Sequence, residues 1–199
     1  MKLYYAPHAC SLAPHIVLRE LDLSFELIRV DNTTKRTASG EDFLAINPKG
    51  YVAALQLDDG QVLTEGPAIL QYLADLRPEA NLAPVSGTFE RVRLQEWLNF
   101  VSTEIHGGLG WLFSAQIPDE VKVLIKAKLF KRLAVLSQTL ERQDYLLGEF
   151  SVVDAYLFTV LRWAHLFAID LNEWPALARF QTRVDQRQTV KAALAAESE

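Results

Sequence analysis

Through the first 76 residues, short apolar runs of strand length alternate with helical rows; from residue 89 onward the apolar positions recur only at helical spacing. Lys2-Leu3-Tyr4-Tyr5 reads as a strand that ends in a loop at Ala6-Pro7. Ser11 can cap the next helix, Pro14 suits its first turn, and Ile16, Val17 and Leu18 form its core face. Phe25 to Val30 is a second strand, so the chain opens β-α-β, the pattern of a right-handed crossover and a parallel strand pair. Residues 31–46 are polar and irregular, with a short helix expected near Glu41 to Ile46. Asn47-Pro48-Lys49-Gly50 is a turn, and Val52 to Leu57 a strand. Asp58-Asp59-Gly60 is a hairpin signal, and Gln61 to Thr64 is the returning strand. Glu65-Gly66-Pro67 then opens a helix with Ile69, Leu70, Leu73 and Leu76 on its apolar face.

Residues 78–88, PEANLAPVSGT, carry prolines and a glycine without periodicity and read as a linker. It separates an α/β domain at 1–80 from an all-α domain at 87–199. In the second, Phe89 to about Phe113 is a helix with Val92, Leu94, Trp97, Leu98 and Val101 in its rows, which Gly107-Gly108-Leu109-Gly110 should loosen or kink. Pro118 starts another long helix whose rows run from Val121 and Leu124 to Leu140. Ser151-Val152-Val153-Asp154 is a capping-box pattern. It opens a helix, Ala155 to Phe167, that is apolar nearly all round and therefore buried. Helices near 175–186 and 189–196 complete the chain.

Composition narrows the class. Half of the 199 residues are hydrophobic and the charges are dispersed, as in a soluble globular protein. The net charge of −5 argues against nucleic acid or an anionic membrane as partner. The single cysteine excludes an internal disulfide and fits a reducing cytoplasm. No basic-then-apolar leader is signalled, and no apolar run reaches roughly 18 residues, so neither export nor membrane spanning is expected.

Cys10 precedes Ser11 at the start of a helix, where the dipole should lower a thiol's pKa; the alternative is an inert packed thiol. At the third helix the first N–H groups lack internal partners, so Thr64-Glu65-Gly66 reads as a carboxylate-binding corner where Gly66 allows close approach. His106 follows Asn99 by seven residues, two turns on one face of a regular helix. Lys35, Arg36, Lys131 and Arg132 have the default reading of solvated charges, and Trp111, Phe113, Trp163 and Phe167 of core. No metal-ligand spacing and no Gly-rich phosphate loop is present.

NPKGYVAAL followed by LTEGPAI resembles the glutathione-binding segment of glutathione S-transferases. With MKLYYAPHACSLAPHIVLRE, LQEWLNFVSTEIH and VVDAYLFTVLRW in the right order, the chain is most similar to the bacterial beta class. The resemblance implies a thioredoxin-like first domain and a helical-bundle second domain. It also implies a homodimer and glutathione as co-substrate, conjugated to an apolar electrophile bound between the domains. It places Cys10 beside the glutathione sulfur, able to form a mixed disulfide, and brings His106 to the site. Tyr5 becomes a pocket wall, and Lys35 a partner of the glycyl carboxylate. The Val52 backbone pairs with the cysteinyl part, Glu65 holds the γ-glutamyl ammonium and Gly66 N–H the neighbouring carboxylate. Asn99, Thr103 and Glu104 carry over similarly, Glu104 toward a second subunit. Two departures stand out. Ala53 replaces a cis-proline, leaving the Val52–Ala53 bond either cis, the expectation here, or relaxed to trans; and Gly107 stands where lysine is common. They leave open a non-catalytic binding protein on the same scaffold, and Cys10 keeps open a glutathione-dependent reductase or peroxidase.

Overall fold

The computed structural model describes residues 1–198, and they divide into two compact units. The first holds Met1–Asn81 and the C-terminal segment from Arg187; the second is Leu82–Gln186. In the first unit β1 (Lys2–Tyr5), α1 (Leu12–Glu20) and β2 (Glu26–Asp31) form the expected β-α-β, with β1 and β2 parallel. A strand that the polar composition of 31–46 concealed, β3 (Arg36–Thr37), pairs antiparallel with β2. After α2 (Phe43–Ile46), β4 (Ala54–Gln56) and β5 (Val62–Thr64) form the hairpin and α3 (Gly66–Leu76) follows. The sheet order is β3-β2-β1-β4-β5, with β4 antiparallel to β1. Leu3, Leu55, Ile16, Val17, Leu18, Ile69, Leu70 and Leu73 are fully buried, so α1 and α3 cover sheet side chains as their apolar periods require.

The last helix corrects the sequence-based boundary. Gln188–Glu197 packs on α1 within the first unit, not with the helical domain. Polar contacts fasten it there. Arg187 donates to both Glu20 carboxylate oxygens, at 2.7 and 2.8 Å. Glu197, nearly buried, accepts from His15 Nδ1 at 2.8 Å, and Arg19 Nε donates to His15 Nε2 at 2.8 Å. Charge patterning could not show this, because both contacts close over more than 160 residues.

In the second unit, α4 (Phe89–Phe100) and α5 (Gly107–Leu112) are joined by a π-helical segment, Val101–His106. The glycines therefore do not break the helix; the irregularity lies just before them. α5 is held against α6 (Asp119–Leu140), and at Gly108 a β-carbon would meet Leu129 Cδ1 at 3.4 Å. Tertiary packing thus overrides the low helical propensity of glycine. Val92 and Leu124, read as core-facing rows, are exposed instead. α7 (Val152–Leu161) is buried along its whole length and ends earlier than expected, before a 3₁₀ turn at Ala164–Phe167. α8 (Pro175–Asp185) closes the unit, and Gln188–Glu197 in the first unit is α9. No helix among the described residues is long and apolar enough to cross a membrane.

Asp154 anchors α7. Its buried carboxylate accepts from Ser151 N–H at 2.9 Å, Ser151 Oγ at 2.8 Å and Leu146 N–H at 2.9 Å. The bond back to Ser151 N–H is the one the capping pattern predicts. Burial pushes the carboxyl up from its ordinary 3.8 to about 6, against the pull of those donors. Replacing Asp154 by Ala strands two buried N–H groups and should cost at least about 2 kcal/mol, read as a lowered melting temperature. Between pH 3.8 and about 6 the folded chain retains a proton that the unfolded chain has released, so this group's contribution to stability falls as pH rises and then levels off. Asp154→Asn should remove that slope; an unchanged stability profile would contradict the shift.

Candidate functional site

Three elements meet at one end of the first unit's sheet. Ala54 opens β4, facing Tyr4 of β1 on one side and Thr64 of β5 on the other. Val52 and Ala53 therefore lie just past the ladder, between the loop that leaves β1 toward Cys10 and the corner where β5 becomes α3. The Val52–Ala53 peptide bond is cis, the expected one of the two outcomes that Ala53 left open. Asn47, buried, braces the approach: its Nδ2 donates to Tyr51 O at 2.7 Å and its Oδ1 accepts from Lys49 N–H at 3.1 Å.

Cys10 Sγ donates to the Val52 carbonyl at 3.3 Å. The expected lowering of its pKa is not found. Although the residue is only part-buried, protein atoms crowd the sulfur, and desolvation pushes the thiol up to about 11. Hydrogen bonds from the Cys10 and Ala53 N–H groups oppose the rise, and the Glu65 charge adds to it. The helix-start argument thus has the right sign for the backbone contribution, but burial outweighs it. Ser11 does not cap α1 with its side chain. Its buried Oγ accepts from Ala6 N–H at 3.2 Å and donates to Ala6 O at 3.3 Å, locking the loop instead. Tyr5 is buried at the end of β1.

Glu65 caps α3 from the left-handed region, φ 71°. Its carbonyl accepts from Ala68 N–H and Ile69 N–H, both at 3.0 Å. Pro67 has no N–H, so of the two residues that open α3 only Gly66 carries a backbone donor. Lys49, which the motif reading passed over, donates to Glu65 Oε1 at 2.7 Å and to Thr64 Oγ1 at 3.0 Å. The signal was in the sequence: Lys49 follows the turn-forming Asn47-Pro48 that the strand needs. Lys35 lies across the same loop, its Nζ 5.6 Å from the exposed Tyr51 ring.

The second unit gathers a separate group around His106. Its Nδ1 lies 2.5 Å from Tyr156 OH, and its ring meets Trp163 edge-on at 5.0 Å. Desolvation lowers its pKa below 6.5, so the imidazole is neutral at physiological pH. The aromatic chain continues from Trp163 to Phe113 at 5.4 Å and on to Phe167 at 4.8 Å. Trp163 is buried, as its default reading required, whereas Phe113 and Trp111 are more than half exposed and are not core. The π-helical segment changes the spacing between Asn99 and His106, so seven residues there no longer make two regular turns. Asn99 and Thr103 are exposed, with Thr103 Oγ1 donating to Asn99 O at 2.9 Å. Glu104 is engaged within its own chain by Arg132 at 2.8 Å and Lys128 at 3.3 Å, so Arg132 is not a merely solvated charge. Those partners, Arg132 first, lower the Glu104 pKa.

Residues 1–75 match the family described as glutathione S-transferase, N-terminal domain, and residues 100–188 match glutathione S-transferase, C-terminal domain. The chain is 46% identical over 198 residues to glutathione S-transferase GstA of Escherichia coli O157:H7, covering 99% of this chain and 98% of that protein. A sphingomonad glutathione S-transferase solved in complex with glutathione superposes with a TM-score of 0.96 at 44% identity, over 100% of this chain and 99% of the other. The beta-class glutathione S-transferase of Sphingomonas chungbukensis gives 0.95 at 44% identity, over 99% and 98%. A thioredoxin-like unit, a helical unit and full-length identity at this level agree: this chain belongs to the glutathione S-transferase family, in its bacterial beta class.

Proposed function

We propose that this transferase binds glutathione at the β4 end of its first unit and joins the glutathione sulfur to apolar electrophiles. The observation that carries the reading is the placement of Glu65 at the start of α3, directly before Gly66 in its first turn, beside a Val52 backbone that lies past the ladder. Glu65 suits the γ-glutamyl ammonium and Gly66 N–H its carboxylate. The Val52 backbone suits the cysteinyl part as an added strand, Tyr5 the pocket wall, and Lys35 the glycyl carboxylate. In conjugation the ligand thiol loses its proton, its sulfur bonds to the electrophilic carbon, and the leaving group departs with the displaced electron pair. His106 is neutral and can accept a proton, while half-exposed Phe113 offers an aromatic edge to a planar electrophile.

Cys10-dependent disulfide exchange is the slower chemistry under this reading, since a thiol with a pKa of about 11 is almost wholly protonated near pH 7. We also infer a cytoplasmic homodimer. Exposed Phe89 and Val92 on α4, and Tyr51 in the first unit, are apolar surface suited to a subunit contact. Glu104 belongs to that proposal as a residue near a second subunit's site, while Asn99 and Thr103 belong to the glutathione-site reading.

The transferase reading is tested by conjugation of 1-chloro-2,4-dinitrobenzene. Glu65→Gln should raise the KM for glutathione at least tenfold, because a charged hydrogen-bonded anchor is lost; an unchanged KM would remove Glu65 from the site. Iodoacetamide should alkylate Cys10 at pH 7 more than tenfold more slowly than a model thiol of pKa about 8.5. Alkylation that titrates below that value would restore the activated-thiolate reading. Light scattering at micromolar concentration should give twice the chain mass, and a monomer would end the dimer proposal.

A further inference from the structure

Lys49 sits on a turn whose backbone is held in place. Buried Asn47 holds Lys49 N–H through Oδ1, its backbone carbonyl accepts from Gly50 N–H at 2.9 Å, and Gly50 takes φ 71°, which a side chain would disfavour. From that base the ammonium spans to β5 and meets Glu65 Oε1 at 2.7 Å and Thr64 Oγ1 at 3.0 Å. A primary ammonium bonded to the Glu65 carboxylate, beside the Gly66 N–H, reproduces what the amino end of an α-amino acid would present there.

We infer that Lys49 is a built-in stand-in for the ligand's ammonium. In the free protein it neutralises Glu65, and a γ-glutamyl ligand must displace it to engage that carboxylate. This rests on the reading of Glu65 as the ammonium anchor and adds to it a residue that sets affinity and specificity. Two consequences follow from charge alone. Displacing the internal pair weakens binding of a ligand that carries the ammonium by about two- to fivefold, the range an exposed ion pair supplies. A ligand lacking the ammonium has no reason to displace Lys49 and avoids that penalty. The sign is diagnostic, because glutathione is a net anion and removal of a nearby positive charge by itself would weaken its binding.

The test is calorimetric titration of the full chain with glutathione and with glutaryl-cysteinyl-glycine, which keeps the carboxylate and lacks the α-amino group. Lys49→Met should tighten glutathione binding about two- to fivefold and should not tighten the glutaryl ligand, while Lys49→Arg, which keeps the cation, should restore the original affinity. Weaker glutathione binding in Lys49→Met would mean that Lys49 holds the ligand, and equal binding that it is idle surface; either result overturns the inference. Glu65→Gln separates the two levels. If it leaves glutathione affinity unchanged the anchor reading itself fails; if it weakens binding while Lys49→Met does not strengthen it, only the stand-in role is lost.

Discussion

A single buried amide holds the shape of the first unit where β4 begins. Asn47 closes α2 through its own N–H to Phe43 O at 2.8 Å, and its side chain then bonds both Lys49 and Tyr51. A polar side chain with so little exposure would be costly if unpaired, and here its amide nitrogen and oxygen are each committed to backbone of the turn that follows. That turn places Lys49, and it delivers Val52 to the sulfur of Cys10. Loops of this kind carry function because a rigid scaffold and a few saturated polar groups hold them in place.

At that end of the sheet two electrostatic effects oppose each other. Helix starts offer positive potential, which should favour both a thiolate at Cys10 and an anion at Gly66. The two sites respond differently because their solvation differs. Gly66 is half-buried at the first turn of α3, where a backbone N–H is suited to an anion. Cys10 is crowded, donates to Val52 O, and feels the Glu65 charge, so its neutral form wins. Position at a helix N-terminus therefore does not by itself fix a group's protonation.

The regular periods were legible in the sequence. β1, α1, β2, the β4–β5 hairpin and α3 emerged from apolar spacing and turn residues, because each is a local pattern packed on one sheet. What stayed hidden depends on distant partners. Arg36–Thr37 forms a strand only because β2 offers it a ladder, with no apolar alternation of its own. α9 joins the first unit through Glu197 and Arg187, residues whose partners lie near the other end of the chain. The turn at Asn47-Pro48 and the corner at Glu65-Gly66 could be read from their motif, and the turn placed Lys49, but its contacts with Thr64 and Glu65 depend on a cross-loop distance that the sequence does not show. Cys10 was found by position, but its protonation was not, because desolvation is a property of the packed fold.

The same division runs through the second unit. The spacing from Asn99 to His106 suggests a shared helical face, and a π-helical segment alters it without any glycine or proline inside the segment. Gly107, Gly108 and Gly110, which do look like a break, lie instead in regular helix, where Gly108 permits close contact with Leu129. Small residues have two structural uses, flexibility and proximity, and the sequence does not distinguish them. Packing does: a glycine against a neighbouring helix loses its freedom to break the turn, and the wider turn falls where the helix next enters the aromatic cluster around His106. The imidazole lies against Tyr156 and Trp163, and its burial there lowers its pKa and keeps it neutral.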